Sequence, residues 1–197
     1  MRIRMQLLSD AIFGNGMSVP GGEDLSVLTD EHGFPYYKGG TFKGVFREAL
    51  EQYLFWTVPK GEQKQSQIRA GADALLGKEG NDAAENPRQL VFSDFQLSDH
   101  VKQCMLAEAD TDSAGCQQEI LDSLTHLRTF TRLTEDGIAK EGSLRSLRCV
   151  NKGLSFYSEV SCSGSDAQLL TEVFSGIRWI GTMRNRGFGK IRITTVE

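Results

Sequence analysis

The first residues of the chain alternate between apolar and polar side chains. The apolar residues Ile3, Met5 and Leu7 alternate with two arginines and a glutamine. A repeat of two residues is typical of a strand that buries one of its faces, so we predict a strand at 2–8. Other segments with strand character are 89–97, 154–160 and 190–196.

The segment 41–54 instead repeats its apolar residues every three or four positions. Phe42, Phe46 and Leu50 belong to this stripe, which predicts an amphipathic helix capped by Thr41. The acidic segment 99–114 shows no clear period. Further helices are predicted at 68–76, at 117–127 and from Asp166 to Ile180.

The predicted elements follow the order β-α-β-β-α-β with an insertion in the middle. This order is the plan of the ferredoxin-like α+β fold, which RRM and other RNA-binding domains use. The chain has 197 residues, 39% of them hydrophobic, and no evident linker, so we expect a single domain over 1–197. Its insertions are predicted at about 60–86, 99–127 and 129–151.

No apolar run approaches the length of a membrane span, and the N-terminal segment is too short and too alternating for a signal peptide. We therefore expect a cytoplasmic protein without a membrane partner. The four cysteines form no Cys-x-x-Cys pair, which favours reduced thiols. A zinc site built from His100, Cys104, Cys116 and His126 would have no common ligand spacing.

The formal net charge of −4 argues against extensive phosphate neutralisation by the chain as a whole. The charges are unevenly distributed, however, because acidic residues crowd the middle of the sequence while basic residues form separate clusters. The local potential along a groove matters more than the total charge. A solvated surface remains the simple alternative for each cluster taken alone.

The segment 181–190 interleaves glycines with basic residues. Glycine lets backbone amides approach phosphate oxygens closely, while arginine supplies charge and bidentate geometry. The segment leads from a helix into a strand, so it is neither a Walker loop nor a dinucleotide fingerprint. It imitates the start of an RRM RNP1 strand, and a plain glycine turn is equally compatible with it. The candidate RNA-binding residues are Arg184, Arg186, Gly187, Gly189 and Lys190.

A second candidate phosphate site lies at the start of the helix predicted at 41–54. Free amides and the helix dipole favour an anion at a helix N-terminus, and two basic residues stand one turn apart on the polar side. An ordinary capped helix is the alternative. The candidate RNA-binding residues are Lys38, Gly39, Gly40, Thr41, Lys43 and Arg47.

Taken together, these two motifs resemble those of the RAMP superfamily of CRISPR proteins. The segment Pro35-Tyr-Tyr-Lys-Gly-Gly-Thr-Phe-Lys-Gly-Val-Phe-Arg47 is similar to the family's glycine-lysine helix, and 181–189 is similar to its late glycine loop. The segments 75–77, 90–97 and 131–134 also resemble segments of the repeated backbone subunit of type III complexes. The resemblance spans almost the whole chain.

This resemblance implies a subunit that binds guide RNA and cleaves complementary target RNA at regular intervals. It implies that Asp24, in the loop before the glycine-lysine helix, is the catalytic residue and binds a divalent metal, with Mg²⁺ expected. It further implies a thumb at 129–151 that folds across the guide–target duplex, together with a smaller lid insertion. Arg132, Arg145 and Arg148 of the thumb would contact RNA. The implied partners are guide RNA, target RNA, copies of the chain in a filament and other type III subunits.

Other assignments remain open at this point. Glu23 or Asp30 could replace Asp24 if the loop alignment shifts, and Asp24 could simply form a turn. The chain could be a structural RAMP subunit without catalytic activity. A stand-alone endonuclease that matures guide RNA would favour a histidine base, for which His32 is the candidate. A ferredoxin-like domain unrelated to RNA is the remaining alternative.

Overall fold

The computed structural model describes the chain over residues 1–14, 16, 23–59, 61, 63–78, 90–108, 113–162 and 167–196. The elements in chain order are β1 (Arg2–Leu7), α1 (Gly39–Thr57), α2 (Lys64–Leu76), β2 (Leu90–Phe92), α3 (Asp99–Glu108), α4 (Ser113–Leu124), β3 (Thr125–Phe130), β4 (Arg145–Val150), β5 (Ser155–Cys162), α5 (Ala167–Gly176), the short 3-10 helix η1 (Arg184–Arg186) and β6 (Ile191–Val196). The predicted cap residue Asp166 lies outside the described residues.

Four strands form the central sheet in the spatial order β2-β5-β1-β6, with every neighbouring pair antiparallel. Met5 of β1 lies opposite Phe156 of β5 and Ile193 of β6. Along the chain, β1-α1-β2 and β5-α5-β6 are two split β-α-β units, which is the ferredoxin-like arrangement. The predicted α+β ferredoxin-like fold is therefore confirmed.

One face of this sheet carries the core. Ile3, Met5 and Leu7 are essentially inaccessible to solvent, since the alternation of β1 sends every second side chain towards α1 and α5. Phenylalanines fill the space between helices and sheet. The ring centroids of Phe46 and Phe174 lie 5.2 Å apart, and burial of such rings dominates core stability.

The start of α1 is determined by a tertiary contact rather than by the predicted Thr41 cap. The helix begins at Gly39, and the side chain of the N-cap residue Lys38 makes no capping hydrogen bond. Instead the Gly39 amide donates a hydrogen bond of 2.8 Å to Oδ1 of Asp94. A Cβ at Gly39 would collide with the carbonyl oxygens of Phe92 and Ser93. The helix can therefore approach the end of β2 only because residue 39 is glycine.

The middle of the chain departs from the predicted pattern. Helix α3 lies in the segment 99–114, whose sequence shows no helical repeat of apolar residues. None of the residues of α3 is buried, so the helix needs no apolar stripe. The predicted helix 117–127 ends earlier, and Thr125 already pairs in the β3–β4 hairpin. The division into one domain with insertions at about 60–86, 99–127 and 129–151 stays a prediction. Within the described residues, no helix is long and apolar enough to cross a membrane.

Arg47 joins α1 to α2. Its guanidinium donates a 2.8 Å hydrogen bond to Oδ1 of Asp73 and another to the carbonyl oxygen of Gly77. The Arg47 side chain is only 14% exposed. The predicted RNA contact of Arg47 disagrees with this geometry, because the charge is already paired inside the protein.

We predict that Gly39→Ala lowers the free energy of unfolding by about 2 kcal/mol or more, because the added methyl group must displace backbone carbonyls. Gly40→Ala is the matched control, since a Cβ there meets nothing within 4 Å. The control should be neutral or stabilising by up to about 1 kcal/mol, as alanine is the better helix former. Urea denaturation followed by circular dichroism measures both variants. Equal stability of the two would contradict the close approach at Gly39.

We predict that Arg47→Ala lowers the free energy of unfolding by about 1–3 kcal/mol, since Asp73 loses its charged partner and the Gly77 carbonyl loses a donor. Arg69→Ala, which removes an exposed arginine of α2, should change it by less than about 0.5 kcal/mol. Urea denaturation measures stability, and a titration with single-stranded RNA measures binding. An Arg47→Ala protein of normal stability with weakened RNA binding would restore the RNA-contact role.

Candidate nucleic-acid interface

A cavity of about 210 Å³ lies between the start of α1 and the loop that precedes β6. We call it the α1 cavity. Lys38 and Thr41 line it from the helix side, and Gly181, Thr182 and Arg184 line it from the loop side. The two glycine-containing motifs, which are far apart in sequence, therefore meet at a single concave surface. The remaining lining residues are Phe13, Gly14, Leu28, Tyr37 and Val45.

Lys38 and Arg184 supply the positive charge of the α1 cavity, and both are exposed. Burial raises the pKa of the Tyr37 phenol, and the nearby charge of Arg184 and a hydrogen bond with the Gly181 backbone offset this only in part. Tyr37 therefore remains neutral near pH 7. No acidic side chain lines the cavity among the described residues. Arg184 lies 3.9 Å from a carboxylate oxygen of the exposed Glu48, a contact long enough and open enough to solvent for an RNA phosphate to compete with it.

The glycines of the loop serve folding as well as access. Gly181 and Gly189 both have positive φ angles, of 70° and 76°, and added Cβ atoms would collide with the carbonyl oxygens of Ile12 and Ile180 respectively. The Gly189 amide donates to the carbonyl of Asp10 at 2.7 Å. Gly189 was predicted to offer its amide to phosphate, and the structure instead uses that amide within the protein.

The other predicted residues of these two motifs differ in accessibility. Gly40, Gly187 and Lys190 are exposed, and Lys43 is half-buried with interactions of its own. Gly39 is buried, and its amide is taken by Asp94. The predicted anion site at the helix N-terminus is thus partly filled by a carboxylate of the protein. A short polar residue 55 positions away gives no local signal of such a cap.

A larger groove of about 620 Å³ lies between the β3–β4 hairpin and η1. We call it the hairpin groove. Its charged lining consists of four cations, Arg132, Lys140, Arg145 and Arg186, against one carboxylate, Glu141. The predicted RNA-binding residues Arg132, Arg145 and Arg186 therefore come together on one surface. Lys140, which was not among the predicted residues, joins them there. A groove dominated by arginine and lysine attracts a phosphate backbone.

Aromatic contacts hold the hairpin against the loop. The rings of Phe130 and Phe188 meet edge to face with centroids 5.8 Å apart. Arg186 lies 5.7 Å from the centroid of the Phe130 ring and Arg128 lies 5.5 Å from that of Phe188, in the range of cation–π contacts. Phe188 also packs in a small core with Cys149. Burial raises the pKa of the Cys149 thiol to about 11. These contacts fix the hairpin relative to the loop, and so they fix the walls of the hairpin groove.

Asp24 pairs with strand β4 at Ser146, the residue after Arg145 of the hairpin groove. Its amide donates to the carbonyl of Ser146 at 2.8 Å, and its Oδ2 accepts the Ser146 amide at 2.7 Å. Asp24 is exposed, and Ser146 directly follows the groove residue Arg145. The carboxylate is thus both anchored by the backbone and accessible to a ligand.

The two alternative carboxylates are used within the protein. Oδ1 of Asp30 accepts the amides of His32 and Phe34, both at 3.0 Å, and Oδ2 pairs with Lys102 at 2.8 Å. Glu23 pairs with Arg148 and is 12% exposed. Of the three candidates, Asp24 is therefore the carboxylate that faces solvent.

Arg148 does not lie where the thumb prediction placed it. Its side chain is 8% exposed and its guanidinium bonds to Glu23 and Asp122. The predicted contact of Arg148 with RNA disagrees with this burial. Arg145 and Arg148 are three positions apart on β4, so they point to opposite faces of the strand. Only Arg145 lines the groove.

A metal centre is not formed by protein groups alone in the part of the chain that the structure describes, since no three His, Cys, Asp or Glu side chains cluster there. Of the residues considered for zinc, Sγ of Cys104 lies 3.9 Å from Nε2 of His100. Nδ1 of His126 is instead 2.6 Å from Oδ1 of Asn151. Mg²⁺ is often held by one or two carboxylates together with substrate phosphates. Asp24 fits such a site only with RNA present.

Comparisons with known proteins agree with this architecture. A chain of the type III-B Cmr-beta complex in its apo state, solved by cryo-EM, superposes with a TM-score of 0.67 at 15% sequence identity, covering 100% of this chain and 96% of that chain. A chain of type III-B Cmr-beta bound to cognate target RNA gives a TM-score of 0.64 at 14% identity, covering 98% and 95%. At these identities the likeness concerns the fold.

The family assignment rests on the sequence itself. No curated protein matches the chain in sequence. Residues 4–192 nevertheless match the model of the RAMP superfamily, and this span includes both glycine-containing motifs, the hairpin and Asp24. The chain belongs to the RAMP superfamily.

Proposed function

We propose that the chain is a guide-RNA-binding backbone subunit of a type III CRISPR interference complex and cleaves target RNA that pairs with the guide. The observation that carries this proposal is the convergence of the two glycine-containing motifs on the α1 cavity. Membership of the RAMP superfamily and the fold shared with chains of type III-B complexes support it.

The guide strand binds at the α1 cavity through its phosphates. Lys38 and Arg184 neutralise charge, and the exposed Gly40 and Thr41 allow the backbone of the RNA to come close to the helix N-terminus. Among the described residues, no asparagine or glutamine lines the α1 cavity. Sequence recognition is then left to base pairing between guide and target, and the protein reads shape and phosphates.

The paired guide and target pass the hairpin groove. Arg132, Arg145 and Arg186 contact the phosphates there, and Lys140 adds a fourth charge. The loop of the hairpin also exposes Leu133, Ile138 and Leu144, at 58%, 67% and 67%. Exposed apolar side chains on a basic hairpin suit insertion between bases, which supports the role of a thumb across the duplex.

Asp24 acts on the target strand beside this groove. Its Oδ2 is held by Ser146, so Oδ1 is the oxygen oriented to accept a hydrogen bond from the ribose 2′-OH. The 2′-oxygen attacks the adjacent phosphorus as the bond to the 5′-oxygen breaks, and the proton lost by the 2′-OH is balanced by one that the leaving 5′-oxygen takes up from solvent. The products are a cyclic phosphate and a 5′-hydroxyl. A divalent ion bound by Asp24 and RNA phosphates, with Mg²⁺ proposed, would supply charge neutralisation.

The proposed RNA partners follow from these surfaces, and the proposed protein partners follow from membership of the RAMP superfamily. Guide RNA binds at the α1 cavity and target RNA beside Asp24. Copies of the chain assemble along one guide into a filament, together with other type III subunits, which produces cleavage at regular intervals.

We predict that Arg184→Ala weakens binding of a single-stranded RNA and lowers the slope of log K against log salt by about one, as one phosphate contact is lost. Fluorescence anisotropy at several salt concentrations measures this. Arg69→Ala, an equal charge change on the exposed side of α2, should leave the slope unchanged. If the purified chain binds no RNA at low salt, it is a ferredoxin-like domain unrelated to RNA.

We predict that Asp24→Ala in the assembled complex lowers target cleavage by roughly 100-fold or more while guide and target affinities stay unchanged. Glu31→Gln removes an exposed carboxylate from the same connection between β1 and α1 and should cleave normally. Denaturing gels of labelled target measure both variants.

Two other outcomes of this experiment identify the alternatives. Cleavage at normal sites by Asp24→Ala would make the chain a structural subunit or move the chemistry elsewhere. Cleavage of a guide-precursor hairpin by the isolated chain, lost in His32→Ala, would identify a stand-alone processing enzyme.

A further inference from the structure

Arg148 is the centre of a buried polar network that the proposed RNA contacts do not use. Its Nε lies 2.5 Å from Oε1 of Glu23, and one terminal nitrogen lies 2.7 Å from Oδ1 of Asp122 and 2.9 Å from Oγ1 of Thr125. The residue as a whole is 6% exposed. One guanidinium therefore ties three segments together, namely the loop before α1, helix α4 and the start of β3.

Arg148 binds the loop segment 23–25, which contains Asp24. Glu23 immediately precedes Asp24, and Leu25 immediately follows it. The carbonyl of Leu25 accepts the Arg148 amide at 3.0 Å, and Leu25 forms a parallel bridge with Leu147. Backbone bonds to β4 and the side-chain pair at Glu23 thus enclose Asp24 from both sides.

Glu23 depends strongly on this partner. Its second oxygen, Oε2, is buried and has no hydrogen-bond partner among the described residues. A carboxylate that is mostly buried must be paired, because the desolvation of an uncompensated charge is costly. Removal of the guanidinium would therefore drive Glu23 towards solvent, and the adjacent Asp24 would move with it.

We infer that Arg148 is a positioning residue that holds Asp24 in place through Glu23, beside the hairpin groove. This inference rests on the proposed cleavage by Asp24. Arg145 and Arg148 of the same strand then have separate roles, since Arg145 contributes to RNA affinity and Arg148 contributes to the rate of cleavage. A displacement of about 1 Å at a reacting group costs up to roughly 100-fold in rate.

The test compares Arg148→Met with Arg145→Met in the assembled complex. At saturating target, Arg148→Met should lower the single-turnover cleavage rate by roughly tenfold or more and leave target affinity within about twofold of the unchanged protein. Arg145→Met should weaken target binding, whereas Arg69→Met, on the exposed side of α2, should leave both rate and affinity unchanged. Arg148→Lys should recover part of the rate, since lysine keeps the charge but lacks the planar fork.

Hydrogen exchange of the full chain provides a readout that does not depend on cleavage. Arg148→Met should speed exchange of the Asp24 and Ser146 amides, whereas Arg145→Met should not. If Arg148→Met fails to fold or assemble, the same rate and exchange measurements on Arg148→Lys decide the question.

Three results would overturn the positioning role. They are a normal cleavage rate in Arg148→Met, a loss of RNA affinity like that of Arg145→Met, and unchanged amide exchange at Asp24. Failure of the proposed function would look different. In that case the unsubstituted complex would not cleave target RNA, or Asp24→Ala would cleave it, while the exchange difference between the two arginine variants could still be observed.

Discussion

The structure depends on the burial of only one face of the central sheet. Every second residue of β1 is apolar and inaccessible, which places both α1 and α5 on the same side. α1 must then pack close to the end of β2, and Gly39 makes this approach possible. The start of α1 consequently lies next to the loop before β6, and the α1 cavity forms where they meet. The proposed guide site is thus a consequence of how the core is covered.

The charged residues of the chain divide into two groups, and this division reconciles a net charge of −4 with a basic binding surface. Several carboxylates are paired inside the protein, as Asp73 is with Arg47, Asp30 with Lys102 and Glu23 with Arg148. The arginines of the hairpin groove are exposed and face a single carboxylate. Total charge therefore says little about the potential that a nucleic acid would meet.

The hairpin groove and the Asp24 segment are built on one strand, β4. Its outer residue Arg145 lines the groove, its backbone at Ser146 binds Asp24, and its inner residue Arg148 is buried against Glu23. Phe130 and Phe188 keep this strand pair against the late glycine loop. The groove proposed to bind target RNA and the Asp24 carboxylate can therefore keep a constant spacing, which the proposed cleavage step requires.

The sequence by itself determined the fold class, the main helix, the first and last strands of the chain and the two glycine-containing motifs, because residue periodicity and glycine placement are local signals. Asp24 was proposed only through the resemblance to the RAMP superfamily, with Glu23 and Asp30 as alternatives, and its catalytic role stays a prediction. The sequence could not distinguish the exposed Arg145 from the buried Arg148, or identify Arg47 as a link between two helices. The sequence shows only that a residue is an arginine, and not whether its side chain faces solvent or a buried carboxylate. The sequence also contains no indication that Asp94 caps α1. Only the tertiary structure decided these roles, because burial and long-range partners are properties of the folded chain.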